Sequence, residues 1–436
     1  MNAISDLKLR ASVGQAGNRP NFSAQYETFT IGDNGVSLSL DQIGNKDLRP
    51  EISTETEVGI DAEFLSRYAL TVTHAKNIID QQIMPVPPPA IAGYTSQWRN
   101  VGELTNNTLE VSLNIPVIQT RDLNYSVRIN YDRTRSKITR LDIPTFFVDA
   151  AGQQGTDVMF KIVEGGQMGE ISGRRFMKKC SDMPANFVSR CGGAGMDFQR
   201  NSEGFIVYVG AGNTLGDGIT NNLWMTKLAA AAAPYSGGNA RESLNWGMPI
   251  LMRDESGAVS NGTLGQALPK YRWSVAQQAS WKQFSAYALL DATVGKSVWN
   301  LARQWSLGDF MHRDADQAGK SVQNAKPIGY YFRAVSTGGV GGLYDVLAPN
   351  NNTVEDASYV KLREVSLGYR LGQLAGIGDW SLTLIGRNLV TFSDYKGFDP
   401  EVGVGGGNLG SGVLNSIDAF GFPNLRTISF QIGTSF

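Results

Sequence analysis

The final stretch of the chain, Leu425-Arg-Thr-Ile-Ser-Phe-Gln-Ile-Gly-Thr-Ser-Phe436, alternates strictly between apolar and polar side chains from Thr427 onward. Side chains in a β-strand point alternately to opposite faces, so this pattern predicts a strand with one apolar and one polar face. Such a strand, ending on an aromatic residue, is what a transmembrane β-barrel needs at its carboxy terminus. The edge strand of a soluble sandwich alternates in the same way, so this one strand leaves both folds open.

The same alternation recurs in four earlier segments. Their apolar positions are Val58, Ile60, Ala62 and Phe64, then Tyr68, Leu70 and Val72, then Leu109, Val111, Leu113 and Ile115, and finally Leu123, Tyr125, Val127, Ile129 and Tyr131. The intervening positions are mostly polar or charged. In a soluble sheet this polar face is turned toward solvent, whereas in a barrel it lines a wet lumen and the apolar face contacts lipid.

The spacing of the strands separates the two folds. Short connections are predicted at residues 65–67, 120–122 and 282–283, and long ones at 14–53, 78–105, 134–270, 296–358 and 392–424. Outer-membrane barrels have short periplasmic turns and long extracellular loops, whereas sandwich connections are mostly short at both ends. The sequence therefore predicts an all-β transmembrane antiparallel barrel whose carboxy terminus lies at the periplasmic face. We expect about ten membrane strands, or twelve if Val158–Glu164 and Phe205–Val209 form a further pair.

Composition agrees with this fold. Charged residues make up 18% of the chain and the formal net charge is -1, which gives no electrostatic reason to expect a nucleic-acid partner. No stretch has the roughly eighteen apolar residues of a membrane helix. The chain begins inside a predicted strand, and no secretory leader precedes it. We therefore interpret residues 1–436 as the carboxy-terminal barrel part of a longer protein, without its signal peptide.

Five segments also resemble, in order along the chain, the SusC/RagA family of TonB-dependent outer-membrane receptors. They are Ser5–Asn18, Leu48–Asp61, Arg99–Leu113, Tyr359–Tyr369, and Gly386–Phe392 followed by Tyr395–Val402. The resemblance implies a barrel of about 22 strands, of which this chain supplies part. It also implies import of bulky nutrients such as oligosaccharides or peptides, together with a SusD-like surface lipoprotein and TonB.

In that family the plug domain and the TonB-contacting segment lie upstream, and no part of this chain matches them. Further expected partners are outer-membrane lipid and the barrel assembly machinery, for which Phe436 is the candidate assembly signal. The alternative function is a non-transporting surface-binding barrel or adhesin. We predict no enzyme activity and no cofactor, and the substrate is left open.

Candidate chemistry is sparse. Gly405-Gly-Gly-Asn-Leu-Gly410 spells G-x-G-x-x-G, but it follows no buried parallel strand and precedes no helix pattern, so an external loop is favoured over a dinucleotide site. His74 and His312 are the only histidines, and a structural role is favoured over a catalytic one for His74, in its alternating strand near a barrel rim. Asp309, Asp314 and Asp316 offer oxygen ligands for Ca²⁺, yet they lack the glycine and closing glutamate of an EF-hand, which favours a solvated acidic turn.

Cysteines and tryptophans complete the candidates. Cys180 and Cys191 lie in one long external segment, and exported chains oxidise such pairs, so a disulfide is predicted over two free thiols. Some tryptophans fall near strand ends and are assigned to a membrane-interface girdle, namely Trp273, Trp281, Trp299 and Trp380. Others fall in long external segments, where packing within the loops and contact with a ligand or partner are both open, namely Trp98, Trp224 and Trp246.

Overall fold

The computed structural model describes most of the chain. The described residues are 4–32, 35–148, 159–216, 247–253, 260–309, 311–321, 324–326, 328–331, 343, 349–374, 376–401 and 416–435. Strands are numbered β1 to β23 along these residues.

A ten-stranded antiparallel sheet, here called the wall, dominates the fold. Its strands are β1 (Ile4–Asn18), β4 (Glu51–Phe64), β5 (Tyr68–Asp80), β8 (Gly102–Gln119), β9 (Leu123–Leu141), β17 (Tyr271–Trp281), β18 (Phe284–Val294), β21 (Tyr359–Leu374), β22 (Ile377–Phe392) and β23 (Thr427–Ser435). Each wall strand pairs with the next one along the chain. Within the described residues β1 and β23 each have one neighbour, so the sheet is an open part of a barrel.

The register aligns the apolar positions of all these strands on one face. Leu9 lies opposite Ile60, Ile60 opposite Val72, and Leu384 opposite Phe430 near the other edge. No other part of the described chain covers this face, and the side chain of Phe430, for example, is 63% exposed. The predicted alternation is thus confirmed across the wall, because a one-residue slip in any pairing would move that strand's apolar side chains to the other face.

The two ends of the wall differ as the spacing predicts. Tight turns join the hairpins at one end, and Leu65, Ser66 and Lys282 there have left-handed φ values of 51°, 52° and 52°. Positive φ values of this kind match the right-handed twist of paired strands in short hairpins. All the long connections leave from the opposite end, here called the long-loop end. Ser435 pairs with Asp379 beside the short turns, so the last strand ends there.

The long connections fold into a loop layer of small sheets and short helices. The strands are β2 (Thr28–Ile31), β3 (Leu38–Ile43), β6 (Ile83–Val86), β7 (Ser96–Asn100), β10 (Phe146–Val148), β11 (Phe160–Ile162), β12 (Glu170–Arg174), β13 (Cys191–Gly192), β14 (Phe198–Arg200), β15 (Ile206–Tyr208), β16 (Asn261–Gln266), β19 (Ser297–Trp299) and β20 (Val354–Asp356). The α-helices are Ala185–Val188, Leu301–Gly308 and Ile328–Tyr331, and the 3-10 turns are Phe22–Gln25, Ala90–Ala92, Cys180–Asp182 and Arg313–Ala315.

The loop layer has a conventional hydrophobic core. Phe160, Ile171 and Trp299 are fully buried there, and Leu104 and Ile138 from the long-loop ends of β8 and β9 pack in the same cluster. The strands β8 and β9 therefore continue well past their predicted ends at residues 108 and 133, because their upper parts belong to this core rather than to the membrane.

The prediction of a further membrane pair was wrong. Phe160–Ile162 pairs with β10 and β12, whereas Ile206–Tyr208 pairs with β14, so the two segments lie in different small sheets and neither joins the wall. Their side chains are almost entirely buried, as expected for short strands covered on both faces. The wall in the described residues has ten strands. No helix in the described part of the chain is long and apolar enough to cross a bilayer.

Candidate functional site

A cavity of about 640 Å³ opens on the polar face of the wall near the long-loop end. Gln82 lines it, and the other polar lining residues come from successive wall strands, namely Glu55, Asn77, Asn106, Thr108, Asp132, Thr134, Ser136 and Arg272. Asn77 lies opposite both Glu55 and Asn106, and Asp132 lies opposite Arg272. The alternation that turns apolar side chains outward therefore gathers these polar side chains on the inside.

Hydrogen bonds between neighbouring strands hold some of these side chains. The Asn77 Nδ2 amide donates to Ser53 Oγ at 2.9 Å and to Glu55 Oε2 at 3.3 Å. Thr108 Oγ1 and Thr134 Oγ1 are 3.0 Å apart. Such cross-strand bonds orient the amide and hydroxyl groups toward the cavity at positions fixed by the sheet.

A second cavity of about 370 Å³ adjoins the first and shares Leu268, Pro269 and Arg272 with it. Its other polar residues are Asp291, Thr293, Lys296, Tyr359, Arg363 and Glu401. The two cavities together form a groove along the inside of the wall, and Arg272 lies where they meet. The groove offers both charge signs and many neutral donors and acceptors, which suits a polar cargo larger than either cavity alone.

An ion-pair network fixes one side of this groove. Lys361 is only 1% exposed, and its Nζ lies 2.6 Å from Asp399 Oδ1 and 2.6 Å from Glu401 Oε2. Arg363 pairs with Asp291 at 2.6 Å and also with Glu401. A buried cation is tolerated only with such partners. The network therefore ties residues 393–401, which follow β22, to the inner face of β21.

The network also shifts the pKa values of Glu401 and of the neighbouring Lys296. Burial raises the pKa of Glu401, but hydrogen bonds from Arg363, Lys361 and Tyr359 outweigh it and lower the pKa to about 2. Burial lowers the pKa of Lys296, and the negative charges of Glu401 and Asp399 partly offset this. Glu401 therefore stays ionised and its segment stays attached at neutral pH.

The histidines lie apart from the groove. His74 projects from the apolar face, opposite Val58 and Leu109. His312 Nδ1 accepts a hydrogen bond from the Asp314 backbone N–H at 3.1 Å, which caps a short turn, and burial lowers its pKa. In the part of the chain that the structure describes, neither histidine lines either cavity.

The acidic residues near His312 do not share one set of contacts. Asp314 pairs with Arg303 at 3.3 Å, and Asp316 Oδ1 accepts from the Ala318 backbone N–H at 2.9 Å. Asp309 ends the helix Leu301–Gly308. Over the described ranges, no group of three or more His, Cys, Asp or Glu side chains converges as metal ligands.

The tryptophans divide differently from the prediction. Trp273, Trp281 and Trp380 lie on the apolar face close to strand ends, as a girdle requires. The assignment of Trp299 to the girdle was wrong, because its ring is fully buried in the loop layer, where its Nε1 donates to Gln304 Oε1 at 2.6 Å. In the sequence, Trp299 lies just before the start of the helix Leu301–Gly308 and not beside a hairpin turn, and this position was the indication of its burial.

The remaining candidates lie away from the groove or outside the described residues. Trp98 is half-buried in the sheet β2-β3-β7-β6, and its Nε1 donates to Gln42 Oε1 at 2.9 Å. Cys180 and Cys191 are joined, with an S–S distance of 2.10 Å and a Cα–Cα distance of 5.5 Å. The candidates outside the described residues are Trp224, Trp246, residues 405–410 and Phe436.

The groove residues were not singled out from the sequence. Arg272 and Asp291 occupy polar positions of alternating strands, a signal that marks the face but not the cavity. Asp399 and Glu401 fall within the family-like segment Tyr395–Val402, which was the available hint of their role.

Comparison with known proteins identifies what the chain is similar to. Residues 2–389 match the family profile described as TonB dependent receptor-like, beta-barrel. The chain is 26% identical to TonB-dependent receptor P3 of Formosa agariphila, covering 100% of this chain and 40% of that protein. It is 22% identical to TonB-dependent receptor SusC of Bacteroides thetaiotaomicron, covering 100% and 38%.

A solved structure shares the fold. The structure of the RagAB peptide transporter superposes with a TM-score of 0.61 at 21% identity, covering 99% of this chain and 41% of that one. The chain therefore spans about 40% of the length of the relatives it matches.

Proposed function

Because this chain belongs to the TonB-dependent receptor-like β-barrel family, we propose that it supplies the carboxy-terminal wall and extracellular loops of a receptor that imports bulky polar nutrients. The family is one of outer-membrane receptors rather than enzymes. The short turns of the wall are accordingly periplasmic, and the loop layer faces the outside of the cell.

The observation that carries the proposal is the polar groove beside Arg272. It lies on the inner face of the wall near the long-loop end, in the path of cargo that enters from outside. The cargo class we propose is oligosaccharide or peptide, since both present many hydroxyl or amide groups and the groove offers donors and acceptors along its length. The peptide transporter with the same fold supports this class.

The complete receptor requires parts beyond this chain. An open ten-stranded sheet leaves unpaired edges that lipid cannot satisfy, so the wall needs further strands to close. We propose that an amino-terminal part supplies those strands, a plug and the TonB contact, and that a SusD-like lipoprotein caps the loop layer. Phe436 is proposed as the signal read by the barrel assembly machinery.

The test is uptake by cells that carry the full receptor. Labelled neutral oligosaccharides and oligopeptides are supplied with and without TonB. We expect TonB-dependent uptake of one class, reduced about tenfold by Arg272→Ala because one charge-assisted hydrogen bond contributes about 1.4 kcal/mol or more. Arg313→Ala is the matched control, since Arg313 is exposed in the loop layer and lines neither cavity.

Two outcomes would contradict the proposal. Surface binding of cargo without TonB-dependent uptake would favour the adhesin-like alternative. Equal uptake by the Arg272→Ala and Arg313→Ala receptors would remove the groove from the cargo path.

A further inference from the structure

A third cavity lies at a notch in the wall and adjoins the larger cavity of the groove, with which it shares Thr134, Ser136 and Tyr271. Residues 133–141 of β9 extend beyond the last pairing with β17, which joins Asp132 and Arg272. The edge of β9 is paired again from Ser136, whose carbonyl accepts from the Met168 N–H at 3.2 Å. Between these points the wall is interrupted, and a cavity of about 480 Å³ occupies the gap.

The chemistry of this notch is cationic. Arg133, Arg135 and Lys270 line it, together with Tyr131 and Tyr271, whose rings are 5.7 Å apart. None of the residues lining it is an Asp or Glu. Within the described ranges, none of the three cations forms an ion pair.

Some other cations of the wall are paired with carboxylates. Arg10, Arg140 and Arg363 each bind carboxylates across the strands. Like charges that share a cavity repel one another, so leaving three together is unfavourable unless an anion joins them. The notch is thus a site where three positive charges share a cavity that has no carboxylate in its lining.

Its depth identifies the source of the anion. The outward-facing residues of β9 are apolar or aromatic from Leu123 to Tyr131, a nine-residue stretch that matches the roughly 9–11 residues of a transmembrane strand. Tyr131 and Trp273 lie opposite each other at its upper end and form the aromatic girdle there. Arg133 and Arg135 follow on the same face, which places them at the level of the outer-leaflet headgroups.

We propose that this notch binds the phosphorylated headgroup of an outer-leaflet lipid. Guanidinium groups bind phosphate oxygens through paired hydrogen bonds, and basic pockets beside membrane-spanning segments bind anionic headgroups. The two tyrosine rings contact the first atoms of the lipid below the phosphate, and Gln167 and Gln266 above it offer amide hydrogen bonds to the sugar. The lipid then fills the interruption of the wall.

The experiment uses the full receptor in nanodiscs of neutral phosphatidylcholine, alone or containing lipid A with or without its phosphates. Native mass spectrometry after extraction counts retained lipid A, and heat-modified migration in gels checks folding. We expect retention of phosphorylated lipid A only, reduced about a hundredfold in Arg133→Gln/Arg135→Gln, since each of the two lost charge-assisted bonds costs about 1.4 kcal/mol and so a factor of ten. Arg133→Lys/Arg135→Lys should retain an intermediate amount of lipid A, because lysine keeps the positive charge but lacks the paired N–H donors of the guanidinium group.

Arg128→Gln is the matched control, because Arg128 lies on the polar face of the same strand and lines none of the cavity. Equal retention by the Arg128→Gln and Arg133→Gln/Arg135→Gln receptors would overturn the proposal. So would equal retention of lipid A without phosphates. Inorganic phosphate added in the absence of lipid A forms the last arm, and if it stabilises the wild-type receptor as much as lipid A does, the site binds free phosphate instead.

Discussion

The wall and the loop layer use the same apolar residues in opposite ways. In β23 the side chains of Ile428 and Phe430 are 73% and 63% exposed, whereas Phe160 and Trp299 in the loop layer are fully buried. The wall is covered by lipid and needs protein neighbours mainly for its backbone hydrogen bonds. The loop layer is surrounded by water and must build a core of its own. Lipid therefore covers the apolar side chains of the wall, whereas a protein core covers those of the loop layer. The boundary between the two regions is the outer surface of the membrane.

The largest difference in stability is expected when a tryptophan side chain is removed from each region. Trp299→Ala should destabilise the loop layer by about 3–5 kcal/mol, because the ring is fully buried and its removal leaves a cavity. Trp281→Ala is the control, since that ring is 53% exposed on the wall and lipid can fill its place. The measurement is a urea titration of the full receptor, followed by loop proteolysis and by heat-modified migration. Equal losses of stability in the two variants would contradict this division, because they would mean that burial in protein and contact with lipid stabilise the ring equally.

A charge placed on the wall gives the next largest effect. Val127→Arg should destabilise the barrel by about 2–4 kcal/mol, because hydrocarbon near the bilayer midplane does not solvate the charge. Ser126→Arg should cost less, since Ser126 lies opposite Gln278 on the polar face. A folding titration of the full barrel in lipid measures both. The face assignment fails if the two substitutions cost the same.

The disulfide should matter only to the loop layer. Replacing Cys180 and Cys191 by serine should cost about 2–3 kcal/mol, because the crosslink closes a short loop beside the cluster of Phe198 and Ile206. Proteolysis of the loop layer should accelerate while heat-modified migration of the wall stays unchanged. Non-reducing mass spectrometry of exported protein should first find the two cysteines in one crosslinked pair. Recovery of both as free alkylated thiols would refute the linkage.

The smallest effect is pH-dependent and lies where the two regions meet. The pKa of Glu401 is lowered to about 2, so its stabilising contribution is complete above the unfolded pKa of about 4.3 and is lost as the pH falls toward 2. Cleavage after Lys396 by an acid-tolerant protease should therefore increase over that pH window. Glu401→Gln should show fast cleavage already at neutral pH. Asp394→Asn, an exposed carboxylate in the same segment, should behave as the wild type does.

The wall could be predicted from the sequence because its rule is local. Period-two alternation in segments such as Leu123–Tyr131 fixes the strand and its two faces without knowledge of any distant residue. The spacing of the turns then orients the sheet. The upper parts of β8 and β9 were missed because alternation weakens where a strand leaves the membrane and enters a core.

The loop layer and the groove depend on contacts between distant residues. The short strands Phe160–Ile162 and Ile206–Tyr208 are buried on both faces, so their sequences carry no alternation that assigns them to a sheet. The pairing of Lys361 with Asp399 and of Arg363 with Asp291 joins side chains on different elements. Trp299 was misassigned for the same reason, since nearness to a strand end in sequence does not reveal which medium surrounds the ring.

The strands β9 and β17 are neighbours in the wall although residues 142–270 separate them in the chain. The entropy lost in closing such an excursion grows only with the logarithm of its length, so doubling it costs about 0.6 kcal/mol. Insertions and substitutions in residues 142–270 therefore change the stability of the barrel little, provided that the flanking hairpins keep their register. Evolution can therefore change the long-loop end of the molecule while the membrane-embedded sheet stays the same.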